Sequence, residues 1–254
     1  MSFRYFIALS YKGKNYHGWQ IQPNAHTVQA ELNEKLSLLL KSSINTVGAG
    51  RTDTGVHARF FVAHFDSAIN LDSELQRLKE KLNSFLPDDI TVNDIYRVPE
   101  NAHARFSALS RTYRYYISQK KDVFNSEFMW ELHYKLDVEM MNKGAGELLN
   151  YSDFTSFSKL HSDVKTKLCK VESAIWRQED DVLVFEIVAD RFLRNMVRSI
   201  VGTLVLLGRH KITLLQFQQI IEARDRSLAG ESAPAHALFL TAIAYPEKII
   251  SRSV

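Results

Sequence analysis

The sequence predicts an α+β fold, antiparallel sheets with helices packed on one face. Three observations carry this. Runs rich in branched and aromatic residues alternate with helical stretches. Several of the runs are joined by hairpins too short for a parallel crossover. Through Val98 the order reads β-α-β-β-α-β, the split βαβ signature of a ferredoxin-like sandwich.

The elements follow in turn. Phe3 to Tyr11 reads as a strand, broken by Lys12-Gly13-Lys14-Asn15. Thr27 caps a helix to about Lys41, with Val28, Leu32, Leu36 and Leu39 at helical spacing. A short strand over Ile44 to Val47, a glycine-rich turn and a second strand over Phe60 to Phe65 come next. Asp72 and Ser73 open a helix with an apolar stripe of Leu75, Leu78, Leu82 and Phe85. Leu86-Pro87-Asp88-Asp89 stops it, and Ile90 to Val98 is a strand.

The polar stretch Pro99 to His103 marks a boundary, giving an N-terminal α/β domain over 1–103 and a C-terminal one over 104–254. The second half repeats the plan with insertions. Strands are expected over Arg111 to Ser118, Cys169 to Arg177, Val182 to Val188 and His236 to Ala244, with Gln178-Glu179-Asp180-Asp181 as a hairpin turn. Helices are expected from about Asp137 to Leu149, Arg191 to Leu207 and Thr213 to Ala223.

Composition narrows the class. A chain of 254 residues that is 45% hydrophobic can bury a substantial core. Lys and Arg number 32 against 29 acidic residues, so the net +3 does not by itself name a partner, and the distribution of charge must decide. The N-terminal stretch lacks the apolar run of a signal peptide, and no window is apolar enough for a membrane span; the chain reads as soluble and cytoplasmic. Cys169 is the sole cysteine, which rules out an intramolecular disulfide and a cysteine metal cage and leaves a packing residue in a strand.

Chemistry concentrates in three places. The first is Gly48-Ala49-Gly50-Arg51-Thr52-Asp53-Thr54-Gly55-Val56-His57-Ala58. An Asp beside Gly is ordinarily a turn residue bonded to its own backbone. No Lys-Ser/Thr pair follows, so a P-loop fails, and a strand rather than a helix comes next, so a dinucleotide fingerprint fails too. The sharper reading uses Arg51, which shares a side with Asp53 if the backbone is extended. Arg51 then holds a phosphate or replaces an extruded base, while Asp53, kept deprotonated by cations, serves as a nucleophile.

The second is Arg111-Thr112-Tyr113-Arg114-Tyr115-Tyr116. On a strand Arg111, Tyr113, Tyr115 and Ile117 share one face. They are either ordinary cross-strand aromatic packing or a stacking platform for a flipped base. The third is the helix beginning Arg191-Phe192-Leu193-Arg194-Asn195-Met196-Val197-Arg198, where Arg191, Arg194 and Arg198 would form a cationic face opposite Leu193, Val197, Ile200 and Leu204. A solvated amphipathic helix is the usual meaning; an arginine-only polar face points instead to phosphate or carboxylate contact. His57, His64, His103 and His236 lack metal-ligand spacing and read as structural. Trp19 fits either core or an RNA-facing surface.

Together these residues resemble a known family. Gly50-Arg51-Thr52-Asp53-Thr54-Gly55-Val56-His57-Ala58 is similar to the catalytic motif of tRNA pseudouridine synthases of the TruA type. Tyr16-His17-Gly18-Trp19-Gln20, His103-Ala104-Arg105-Phe106-Ser107-Ala108, Asp153-Phe154-Thr155-Ser156-Phe157, Asn195-Met196-Val197-Arg198 and Ala233-Pro234 fit as well. Thr54 departs from a frequent Ala, and Ala237 from a common Gly.

The resemblance implies two ferredoxin-like (RRM-like) halves whose antiparallel sheets meet at a central basic cleft. It implies isomerisation of uridine to pseudouridine at positions 38, 39 and 40 of tRNA, by a homodimer needing no cofactor and no metal. Asp53 would be the nucleophile, Arg51 would assist extrusion, Tyr113 would stack on the target base and Arg198 would pair with Asp53. The residues themselves predict a basic cleft lined by Arg51, Arg191, Arg194 and Arg198, with Asp53 at its floor. Attack at C1′, attack at C6 and a glycal route all need an ionised carboxylate beside an unstacked base, and the residues leave the three open. Two other readings stay open at this level: an RNA-binding module without catalysis, and a protein-interaction scaffold built on the aromatic strand.

Overall fold

The computed structural model describes residues 2–159 and 166–250. The chain divides into two compact units, Met1–Leu109 with Leu240–Val254, and Ser110–Phe239. Both are α+β, as the sequence predicts.

In the first unit β1 (Phe3–Tyr11), α1 (Val28–Leu40), β2 (Val47–Gly48), β3 (His57–Ser67), α2 (Leu75–Phe85) and β4 (Ile90–Val98) follow in the predicted order. The strands lie in the order β4-β1-β3-β2, and every pair is antiparallel. Central position explains the burial of β1: Tyr5, Phe6, Ile7 and Leu9 have no exposed surface. The Phe6 ring is enclosed by His64, Tyr96 and Tyr245 at 5.3–6.3 Å between centroids.

Thr27 caps α1 as predicted, its hydroxyl accepting from the Ala30 amide at 3.3 Å. Beyond α1 the expected strand over Ile44 to Val47 shrinks to Val47–Gly48. The reason is local. The amides of Ile44 and Thr46 donate to Ser37 Oγ and Asn33 Oδ1, both at 2.9 Å, so side chains of α1 take the donors a ladder would use. The stripe of α2 is also shorter than predicted: Leu78 and Leu82 are buried, while Phe85 is exposed.

The second unit contains β5 (Ser110–Ser118), β6 (Trp130–Glu131), α3 (Val138–Glu147), β7 (Val171–Glu179), β8 (Val182–Ala189), α4 (Met196–Gly208) and α5 (Leu214–Ala223). β9 (Leu238–Ala244) leads back to the first unit, where α6 (Glu247–Ile250) ends the described chain. Strands β5, β8 and β7 are neighbours in that order and antiparallel, with β6 parallel to β5. The β7–β8 turn is tighter than expected. Glu179 pairs with Val182, and Asp180 adopts φ 50°, leaving two residues in the loop.

The largest correction concerns α4. It starts at Met196 rather than about Arg191, because Asn195 sits in the left-handed region at φ 68° and ends any helical run before it. Arg191 and Arg194 therefore lie in the loop ahead of the helix. The cationic helix face predicted from 191, 194 and 198 does not form. Nor is α4 amphipathic: every residue except Arg198 and Leu206 is buried.

Candidate active site

Asp53 lies between β2 and β3, in a connection anchored residue by residue. The Ala49 amide donates to the Val62 carbonyl at 2.8 Å where the connection leaves the sheet. Val56 N–H donates to the Asp53 carbonyl at 3.1 Å, closing a β-turn. Gly55 takes its third position with φ 80°, the geometry that calls for glycine there.

A second segment holds the turn from outside. The Thr52 carbonyl accepts from Trp19 N–H at 3.3 Å, and Thr52 Oγ1 bonds Tyr11 Oη at 2.9 Å. Gly55 N–H donates to the Tyr16 carbonyl at 3.4 Å, and Gly13 N–H to His57 Nδ1 at 3.0 Å. The approach is close enough that a Cβ on Gly18 would lie 2.2 Å from the Thr52 carbonyl oxygen. Trp19 belongs to the core: it is fully buried and stacks on Phe61 at 4.2 Å. Thr52 is buried, Asp53 half-buried, and Arg51 and Thr54 exposed. Asp53 is thus half-buried on a backbone held from both sides.

Next to the turn is a cavity of about 130 Å³ lined by Gln20, Gln29, Thr46, Val47, Gly48, Gly50, Arg51 and Arg105. Buried Gln29 organises it. Its Nε2 donates to the Thr46 carbonyl at 2.6 Å, and its Oε1 accepts from Ile21 N–H at 2.9 Å and Gln20 Nε2 at 3.0 Å. Arg51 and Arg105 give the cavity positive charge, suited to a phosphate.

In the second unit the tyrosines separate by role. Tyr115 is fully buried and donates from Oη to the Pro234 carbonyl at 2.9 Å; burial pushes its phenol well above the usual range. Tyr116 packs edge-on against Phe239 at 5.3 Å. Tyr113 is half-buried, with the Phe192 ring edge-on at 5.1 Å. Of the three, only Tyr113 keeps the exposure a stacking role needs. Arg114, on the opposite strand face, is engaged by Glu186 at 2.7 Å.

Arg198 is half-buried and tied twice to one residue. Its Nε donates to the Ala233 carbonyl at 2.7 Å, and its own carbonyl accepts from Ala233 N–H at 3.0 Å. Arg191 is half-buried and Arg194 exposed; the Arg194 carbonyl accepts from Lys159 N–H at 3.0 Å.

His57, His64, His103 and His236 bond to backbone. His57, His64 and His103 accept amide donors at Nδ1, and His236 Nε2 lies 3.1 Å from the Met129 carbonyl. Burial, with Arg4 and His103 nearby, lowers His64 to about 4. Cys169 is buried, and that burial pushes its thiol up to about 12. Among the described residues no group of three or more His, Cys, Asp or Glu is gathered as a metal site would be. No described helix is long and apolar enough to cross a membrane.

Sequence reasoning passed over Arg105, which shares the cavity with Arg51, and Gln29, whose amide fixes the cavity wall. A glutamine within the apolar stripe of α1, between Val28 and Leu32, was the available signal for the second. Arg105 lies in the stretch His103 to Ala108 that resembles the family, but its place beside Arg51 depends on how the loop after β4 folds back.

The sequence has relatives in other organisms. A family model described as tRNA pseudouridine synthase matches residues 7–107 and 147–246. A protein from Parabacteroides distasonis named tRNA pseudouridine synthase A is 54% identical over 246 residues, covering 97% of both chains. Proteins of the same name from Bacteroides fragilis and Bacillus subtilis are 52% and 39% identical, over 97% and 93% of this chain and 98% and 97% of theirs. The chain belongs to the tRNA pseudouridine synthase family.

Proposed function

We propose that this protein isomerises uridine to pseudouridine at positions 38, 39 and 40 in the anticodon stem-loop of tRNA. The observation that carries this is the rigid mount of Asp53, in a chain similar along nearly its full length to tRNA pseudouridine synthases. Asp53 is the nucleophile and Arg51 assists base extrusion. Tyr113 stacks on the target base, Arg198 is the counter-ion of the acid, and Arg191 and Arg194 contact phosphates. The unit of Met1–Leu109 with Leu240–Val254 carries the acid, and the unit of Ser110–Phe239 carries Tyr113 and Arg198. Each half is ferredoxin-like, and the working form is a cytoplasmic homodimer.

The reaction is redox-neutral. The bond from C1′ to N1 breaks, the base turns, and a bond from C1′ to C5 forms. The C5 hydrogen leaves as a proton and N1 gains one. A base inside a stacked stem cannot make that turn, so extrusion has to precede the chemistry.

Tritium release tests this reading. Unmodified tRNA carrying C5-tritiated uridine, with uridine retained singly at 38, 39 or 40, is incubated with the protein. Label should enter water from each of the three positions and stay in place when all three are replaced. Release from uridines elsewhere, or none at all, contradicts the reading.

A further inference from the structure

After β4 the chain makes a turn over 102–107 that is bonded almost residue by residue. The Arg4 guanidinium donates to the Ala102 carbonyl at 2.9 Å. Ala104 N–H donates to His64 Nδ1 at 3.1 Å, and Tyr245 Oη to the Ala104 carbonyl at 2.6 Å. His103 Nδ1 accepts from the amides of Arg105 and Phe106, at 3.1 and 3.3 Å. The Ser107 hydroxyl accepts from His103 N–H at 3.0 Å, and Ser107 N–H returns to the His103 carbonyl at 2.9 Å.

On this fixed backbone Phe106 is 76% exposed. A ring so placed leaves apolar surface in water that a polar residue would not, while its own amide is immobilised. Behind it the rings form a relay: Phe106 lies 4.4 Å from His103, and His103 lies edge-on to His64 at 4.7 Å. The Arg105 guanidinium is 5.6 Å from the Phe106 centroid and also lines the cavity beside Arg51. An open aromatic face, a backing ring and an adjacent arginine make up the combination that holds an unpaired nucleotide: stacking for the base, a cation for its phosphate.

We propose that Phe106 is a stacking platform for an unpaired nucleobase of the tRNA, one other than the reacting uridine, and that Arg105 contacts the phosphate of that nucleotide. The proposal rests on tRNA being the substrate. Charge favours RNA over a protein partner, since Arg105, beside the ring, also lines the cavity together with Arg51.

The test uses the full chain with an unmodified tRNA transcript. Phe106→Ala should raise the Kd for tRNA by about five- to a hundredfold, the range of a lost base–aromatic stack. KM should rise with it, and the unfolding midpoint should hold, because the ring is exposed. Phe106→Leu should stay weak despite its apolar bulk, and Phe106→Trp should restore binding. In Arg105→Gln the slope of log K against log salt should fall by about one. If Phe106→Ala binds tRNA within about twofold of the parent, the proposal is overturned. It is equally overturned if tRNA affinity holds while the variant changes mass on gel filtration, which would make the ring a protein contact. A parent that binds tRNA through Phe106 yet releases no tritium would refute the synthase reading and leave this one standing.

Discussion

Gly18 shows how little tolerance there is around the acid. Its φ is 85°, and an added Cβ would meet the Thr52 carbonyl oxygen at 2.2 Å. Gly18→Ala should destabilise the protein by roughly 2–4 kcal/mol, combining backbone strain with displacement of the turn. Urea unfolding measures the first effect. A fall in kcat larger than the rise in KM would report the second. Cys169 stands at the other extreme. With burial raising its thiol to about 12, iodoacetamide should label the native protein far more slowly than the urea-unfolded chain. The strand reading of Cys169 was close: it precedes β7 (Val171–Glu179) and is buried.

At the scale of elements, regular strands were legible and irregular starts were not. β1 and β4 begin and end where alternation and flanking turn residues place them. β2 and α4 did not follow their sequence pattern, for reasons invisible to periodicity. Asn33 and Ser37 capture the donors of one, and a single left-handed Asn195 delays the other. Of the cationic trio, only Arg198 therefore sits on the helix.

The turn over 102–107 carries a pH dependence. His64 and His103 accept backbone donors, and both are lowered from the ordinary 6.5, His64 to about 4, first by burial and then by nearby Arg4. Below pH 6.5 the unfolded chain takes up protons that the folded imidazoles refuse. The His64 contribution is complete above 6.5 and is lost as pH falls toward about 4. The unfolding midpoint should therefore drop more steeply over that window in the parent than in His64→Gln. Parallel slopes would contradict it.

For the molecule as a whole, the α+β class and the β-α-β-β-α-β order were readable, because hydrophobic period and turn chemistry act locally. The candidate site was half readable. The turn around Asp53 is a contiguous motif, but its clamp of Tyr16, Gly18 and Trp19 and the cavity shared by Arg51 and Arg105 are brought together only by folding. Pseudouridine formation consumes neither electrons nor phosphate, so turnover should persist in excess EDTA without added nucleotide, read by tritium release. Loss of activity on chelation that zinc or magnesium restores would contradict this.

Everything in the functional reading converges on one carboxylate. Asp53→Asn keeps the turn and its backbone bonds while removing the charge. The most direct measurement is tritium release by this variant alongside its affinity for tRNA. Release should fall to background while the Kd stays within about threefold of the parent. Sustained turnover by the Asp53→Asn variant, verified free of deamidation by mass spectrometry, would contradict the assignment.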